Sequence, residues 1–430
     1  MITWKTLTLK LGQSINVLSI IFIFKNYTLM RKNVLFVVGM ILCLTQVMAS
    51  PKVRKVTKQN VSEYDTVPAS LLSDEAKLKM VHSVKDLHDG RFFYLDYTED
   101  YKLGGITSMN LKTTQSLVGA IIDSLCDKKS SAQNNEVKFG AGCSAFSAVT
   151  PDKGDFIMGR NFDFLHGNEK IAAAMVHTKP KGGLESISMV DAYWIGYRQG
   201  LWHSFTDSAT VFEKNKKRDL SYLMGFPYLL MDGMNSAGFA ISVLHLDGEP
   251  TQQTKAGKCW MTTLLMRNLI DYAESVESAI KMLEKYDFWV PEGEGNYHFY
   301  MADALGKSAV VEYVYKPGQT SGSPNVRYVM PGKKCVSNFY LSDAMIETDH
   351  GALSAHGKTR YEMMNFVLKQ NGGKLSEEGA MWLLNGVSQA ENPAEPTSHT
   401  QWSVVYNLSQ KKATVCVNRD YDNKFYFNLK

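Results

Sequence analysis

Several signatures are missing from these 430 residues. Lys and Arg total 47 against 43 Asp and Glu, a formal net charge of only +4, and no dense basic stripe occurs. That excludes an electrostatically driven nucleic-acid partner. Only six cysteines are present. None forms a CxxC pair and none joins histidines at zinc-ligand spacing, so neither a metal site nor a cofactor is expected. There is no GxSxG elbow, no P-loop and no dinucleotide fingerprint. No repeat of about 20–50 residues is visible. The apolar run "VLFVVGMILCL" (34–44) falls well short of the roughly 20 residues that span a bilayer, so no stable membrane anchor is expected.

What is present is ordinary globular composition, 44% hydrophobic and 21% charged, enough to bury a large core. The short apolar run follows Met30-Arg31-Lys32 and precedes "TQVMAS", which reads as a signal peptide cleaved after Ala49, with residues 1–29 as an upstream extension and Met30 as the functional start. The expectation is an exported protein, periplasmic or extracellular. Residues 50–142 carry two helical patterns, "PASLLSDEAKLKMVHSVKDLHDG" and "TTQSLVGAIIDSLCDKK", then a polar linker, "CDKKSSAQNNEVKFGAG". Exposed linkers are where chains are cut.

From residue 143 the pattern changes. "CSAFSAVT" and "DFIMGRNFDF" flank "PDKG" as a hairpin, and "MDGMNSAGFAISVLHL" turns at Ser236-Ala237-Gly238. Two helices follow, with Ser275 capping the second. Strands return in a hairpin about Leu305-Gly306 and in "VRYVMPGKKCVSNFYLSD", and two further helices precede the closing strands "TQWSVVYNL" and "ATVCVNRDY". Blocks of strands and helices without βαβ alternation favour antiparallel sheets layered with helices, an α+β fold. The boundaries are 1–49, signal; 50–142, a helical pro-segment; and 143–430, the main domain.

Cys43 leaves with the signal, so the mature chain holds five cysteines. Cys126 sits in an amphipathic helix and reads as core. Cys143 follows Gly142 at the end of a cuttable linker. It can be core filler, half of a disulfide, a metal ligand or a nucleophile. If the Gly142–Cys143 bond is broken, Cys143 gains an α-amine that titrates near 7.7–8.0 in model peptides and can take the thiol proton. A guanidinium nearby favours thiolate. Arg160 lies on the return strand within reach, and Asp163 can orient the amine. The alternative is an Arg160–Asp163 salt bridge at a strand end.

The segment resembles the N-terminal-nucleophile hydrolases of the linear amide C–N hydrolase group, choloylglycine (conjugated bile acid) hydrolase and penicillin V acylase. Their mature chain starts at Cys and continues to a Gly-Arg-Asn-x-Asp strand, here Arg160 and Asp163. "DGMNSAGFAISVLHL" (232–246), "YHFYMADALGKSAVVEY" (297–313), "VSNFYLSD" (336–343) and "KTRYEMMNFVL" (358–368) are similar to later family segments, in order. The resemblance implies an αββα sandwich of two antiparallel sheets between helical layers. It also implies catalytic roles for Cys143, Arg160, Asp163, Asn338 and Arg360, with Asn338 a donor to the oxyanion. Where the family has a second oxyanion asparagine this sequence has His245, which is either a donor to the oxyanion or a structural histidine, and Asn235 is a further candidate, at the oxyanion or supporting the residues around it. A pro-segment as long as 50–142 is similar to the acid ceramidase and acyltransferase branch, where the two chains stay associated after the cut.

The implied activity is hydrolysis of linear amides in small N-acyl substrates, conjugated bile acid or fatty-acyl in type, through a Cys143 thioester. Transfer of the acyl group to an amine is the second reading, and a non-catalytic secreted binding protein the third. "DAYWIGYRQGLWHSF" (191–205) is a candidate lining for a lipid or sterol pocket, or else core or dimer contact, the last implying a homo-oligomer.

Overall fold

Fifteen of the seventeen strands among the described residues divide into two sheets, because their buried residues have to meet something on both faces, and the other two pair as a short parallel ribbon. The computed structural model describes residues 71–88, 91–127, 141–164, 173–192, 220–319, 321–346, 357–391 and 399–429. The expected signal peptide, the linker residues 128–140 and residues 193–205 of the aromatic stretch lie outside them.

The region before the linker holds helices α1 (Glu75–His82) and α2 (Thr114–Leu125). Thr113 and Ser116 close a capping box on α2, whose apolar stripe buries Leu117, Val118, Ile121, Ile122 and Leu125. The expectation of a purely helical region is corrected here, because it also holds strands β1 (Lys85–Asp86) and β2 (Phe92–Tyr97). β2 lies parallel to β5 (Ala173–Thr178), Phe92 opposite Ala173 and Tyr97 opposite Thr178. A strand whose partner lies some eighty residues away leaves only "FFYLDY" as its local trace.

β3 (Ala141–Val149) and β4 (Phe156–Phe164) form the expected hairpin. β6 (Ser186–Asp191), a 3₁₀ helix (Leu220–Tyr228), β7 (Leu230–Asn235) and β8 (Phe239–Leu246) follow. β7 and β8 meet at a turn where Gly238 has φ +82°, and a Cβ there would come within 2.5 Å of the Leu408 carbonyl oxygen. Next come β9 (Cys259–Met261), α3 (Thr262–Tyr272), α4 (Val276–Leu283, capped by Ser275), β10 (Asp287–Trp289), β11 (Asn296–Asp303) and β12 (Ser308–Val314).

The run "VRYVMPGKKCVSNFYLSD" holds two strands, β13 (Val326–Pro331) and β14 (Cys335–Val336), in different sheets. Gly332, at φ +76°, makes the turn between them. α5 (Lys358–Gln370), α6 (Glu377–Gly386), β15 (His399–Asn407), β16 (Lys412–Val417) and β17 (Phe425–Asn428) complete the chain, β17 being a strand the sequence reading lacks. Two short helical turns, Leu103–Thr107 and Asp343–Ile346, complete the helices among the described residues.

One sheet has nine strands in the order β1-β2-β5-β6-β7-β8-β11-β12-β13, and the other six, β14-β3-β4-β15-β16-β17. Pairing is antiparallel throughout both except β2 with β5. Their inner faces are joined by polar contacts: Trp402 and Tyr406 of β15 donate to Asp232 of β7 at 3.0 and 2.6 Å, and Tyr300 donates to Ser147 at 2.8 Å. Helices cover the outer faces. On the nine-stranded sheet Asn235 donates to carbonyls at the end of α3. On the six-stranded sheet Asn161 donates to Leu384 of α6. This is the expected αββα sandwich.

Candidate active site

Strand parity decides which side chains Cys143 meets. The β3–β4 register sets Cys143 opposite Phe162 and Ala145 opposite Arg160. Cys143 and Arg160 therefore share the face between the sheets, and Asp163 faces the outer helices.

Arg160 is fully buried. It donates through Nη2 to the Val243 carbonyl at 2.7 Å and through Nη1 to the Asn161 carbonyl, and its Nε lies 3.5 Å from Asp232. Burial alone would lower its pKa, but the Cys143 sulfur and the carboxylates of Asp232 and Asp163 raise it instead. Asp163 accepts from Thr400 Oγ1 at 2.5 Å and Gln389 Nε2 at 2.8 Å, and lies 3.5 Å from Arg360 Nη1. Burial pushes its pKa up against the pull of Arg360 and those two donors. Arg160 and Asp163 are thus not each other's salt bridge; their ion partners are Asp232 and Arg360.

β14 pairs with β3 only at Cys335–Phe146 and Val336–Ala145. Continuing that register sets Asn338 against Cys143, and there a side chain replaces the backbone ladder. The Cys143 N–H donates to Asn338 Oδ1, which also accepts from Arg360 Nη2 at 2.9 Å. Asn338 Nδ2 donates to the His245 carbonyl at 2.8 Å. With donors at Oδ1 and an acceptor at Nδ2, the orientation of this amide is determined. Asn338 therefore presents its acceptor to Cys143. Arg360 Nη1 donates to the Cys143 carbonyl at 2.5 Å. Gly357, at φ +91°, makes room for this guanidinium, since a Cβ there would meet Arg360 Nη2 at 2.6 Å. The Cys143 sulfur lies 3.9 Å from the Asp163 carbonyl oxygen.

The two remaining candidates lie elsewhere. Asn235 spends all four hydrogen-bond positions on structure, donating to Ile270 and Ala273 and accepting from Ala237 and Phe239. It pins the β7–β8 turn to α3 and has nothing left for an oxyanion, which corrects that expectation. The His245 ring packs edge-on to Tyr297 with centroids 5.6 Å apart, and its Nδ1 lies 3.8 Å from Asp247. What it gives the site is its backbone carbonyl.

Residues without an assigned role also belong here. Asp232 holds Arg160, and Thr400 and Gln389 hold Asp163. Asp232 stood inside the quoted "DGMN"; the other two carried no signal, because each reaches the site from a distant strand or loop. A pocket open to solvent adjoins the cluster. Leu117, Val118 and Ile121 of α2 form one wall, Met261 and Tyr297 another. Val243, whose carbonyl takes Arg160, also lines it.

A family model described as acyl-coenzyme A:6-aminopenicillanic acid acyl-transferase matches residues 202–422. The chain belongs to this family. Its membership sets the chain within the N-terminal-nucleophile amidases and acyltransferases, as the sequence resemblance implied. The matched span includes Asp232, Asn338 and Arg360, while Cys143, Arg160 and Asp163 precede it. Among solved structures, a cysteine-to-alanine mutant of conjugated bile acid hydrolase from Clostridium perfringens is similar at 15% identity and TM-score 0.44, over 67% of this chain and 92% of that one. Penicillin V acylase from Agrobacterium tumefaciens is similar at 17% and 0.41, over 67% and 86%. No curated protein matches.

Proposed function

We propose that the chain is an exported cysteine amidase that matures itself at Gly142–Cys143 and then cleaves the amide of apolar N-acyl substrates through a thioester on Cys143. The observation that carries this reading is the treatment of the Cys143 backbone. Its N–H is taken by a side-chain carboxamide and its carbonyl by a guanidinium. Core packing calls for neither, whereas a nitrogen destined to become the catalytic base needs such a partner.

In maturation the Cys143 sulfur attacks the Gly142 carbonyl carbon, the acyl group moves from nitrogen to sulfur, and water hydrolyses the resulting thioester. The products are a Gly142 carboxylate and a free Cys143 α-amine. In turnover that amine takes the thiol proton, the sulfur attacks the substrate carbonyl, and the proton passes to the leaving amine. Water then releases the acid and restores the thiol. Asn338 Oδ1, which takes the Cys143 N–H, would hold the new amine, and the buried Arg160 guanidinium lies beside the sulfur. The adjoining pocket, walled largely by Leu, Val, Ile and Met, supports an apolar acyl group.

The family's description supports a second reading, in which an amine replaces water as acceptor. Intact mass spectrometry of wild type and Cys143→Ala tests maturation: two copurifying fragments are expected from the first and one chain from the second. An alanine variant still cut at 142–143 refutes self-maturation. N-acyl amides supplied with and without an amine acceptor separate hydrolysis from transfer.

A further inference from the structure

Asn338 lies outside any strand, in the stretch that follows β14. A side chain on such a stretch holds a fixed position only if something fixes the backbone. Two buried residues of the other sheet do this. His298 on β11 and Glu312 on β12 are both fully buried. The register that pairs Phe299 with Val311 sets them opposite one another. Glu312 accepts the Leu341 N–H at Oε1, 2.7 Å, and the Ser342 N–H at Oε2, 3.0 Å. His298 Nε2 meets the Ser337 carbonyl at 2.9 Å, and its Nδ1 meets Glu312 Oε1 at 3.2 Å. Residues 337–342 are thereby gripped on both sides of Asn338.

Hydrogen accounting makes the grip specific. The Ser337 carbonyl can only accept, so His298 Nε2 carries a hydrogen. Glu312 already accepts two backbone N–H groups, and one proton lies between Nδ1 and Oε1. Every polar atom of the pair is used and none contacts Cys143, Arg160 or Asp163. A pair needed only to join the sheets could end on any backbone; this one ends on the segment that presents Asn338.

We propose that His298 and Glu312 are positioning residues, which hold the 337–342 segment so that the Asn338 carboxamide meets the Cys143 nitrogen. The proposal rests on Cys143 being the nucleophile. Displacing a positioned group by about 1 Å is enough to cost on the order of 10²-fold in rate. His298→Ala is therefore expected to lower kcat by about that factor with KM changed less than about twofold. His298→Gln, whose amide nitrogen can still reach the Ser337 carbonyl, is expected to recover part of the loss, and Glu312→Gln to fall between the two.

The deciding experiment is a double-mutant cycle with Asn338→Ala, measured on N-acyl amide hydrolysis by folded protein, with thermal unfolding checking each variant. If His298 acts through Asn338, His298→Gln adds no further loss of kcat in the Asn338→Ala background. Multiplying effects, or a wild-type kcat in both His298→Gln and Glu312→Gln, overturn the proposal. Should His298→Ala fail to fold, the two glutamine variants carry the same cycle. Cys143→Ala is run alongside. An active alanine enzyme overturns the nucleophile reading and the clamp with it, whereas an inactive one beside unaffected clamp variants overturns the clamp alone.

Discussion

Cysteine chemistry in this protein is separated by surroundings. All five cysteines among the described residues are buried thiols. Burial pushes those of Cys335 and Cys416 up to about 12 and that of Cys259 upward. Such thiols stay protonated at neutral pH and react slowly, because the thiolate is the nucleophile. Among these cysteines, Cys143 has a buried guanidinium beside its sulfur. Limited iodoacetamide followed by peptide mapping is expected to modify Cys143 well ahead of Cys335 and Cys416. Equal labelling would mean that Arg160 does not activate the sulfur. Cys143, Arg160 and Asp163 were legible from a strand–turn–strand pattern, since parity and a four-residue turn fix their neighbourhood. Asn338 and Arg360 came only from family likeness, because no local rule relates residue 143 to residues about two hundred positions away.

At the scale of elements, the region before the linker joins the main domain through a strand and a buried anchor as well as by packing. Tyr101 donates to Asp271 of α3 at 2.7 Å, and the Tyr228 hydroxyl donates to the Tyr101 carbonyl. The two ends of the region are tied by Asp127, which accepts from Ser73 N at 2.7 Å, Asp74 N at 3.0 Å and Lys77 Nζ at 3.0 Å. Those bonds, the Ser73 N–H foremost, hold its pKa well below the ordinary 3.8. A depressed carboxylate contributes stability above its unfolded pKa and loses it as pH falls through 3.8 and below. Asp127→Asn is accordingly expected to flatten the acid limb of a urea-midpoint profile between about pH 5 and pH 3. An unchanged limb would mean that this tie does not contribute. The helices here were legible from periodicity. β2 was not, because its ladder is made with residues 173–178, and pairing at that separation leaves no period to detect.

For the whole molecule, the interface between the sheets contains charge. Arg160 and Asp232 are both fully buried, and Asp232 is also held by Trp402 and Tyr406. Removing one partner of such a pair strands the other, at a cost of about 3–5 kcal/mol. Asp232→Ala should lower the unfolding free energy by about that amount, read as a reduced denaturant midpoint, whereas a loss under about 1 kcal/mol would show the pair to be dispensable. Antiparallel sheets layered with helices were legible in the blocks of strands and helices, the αββα order came from family likeness, and which face each strand turned inward followed only from register.

The position of the Gly142–Cys143 bond has one further consequence. It lies inside β3, with Gly142 opposite Asp163 and Cys143 opposite Phe162, and both residues are buried. A protease draws its substrate out as a free strand, and this bond is already paired. Its cleavage is therefore expected to follow first-order kinetics. The half-time should stay constant when freshly folded precursor is diluted over a hundredfold, and inhibitors of other proteases should leave it unchanged. A half-time that lengthens with dilution would mean that one molecule cuts another, and that the strand opens before it is cut.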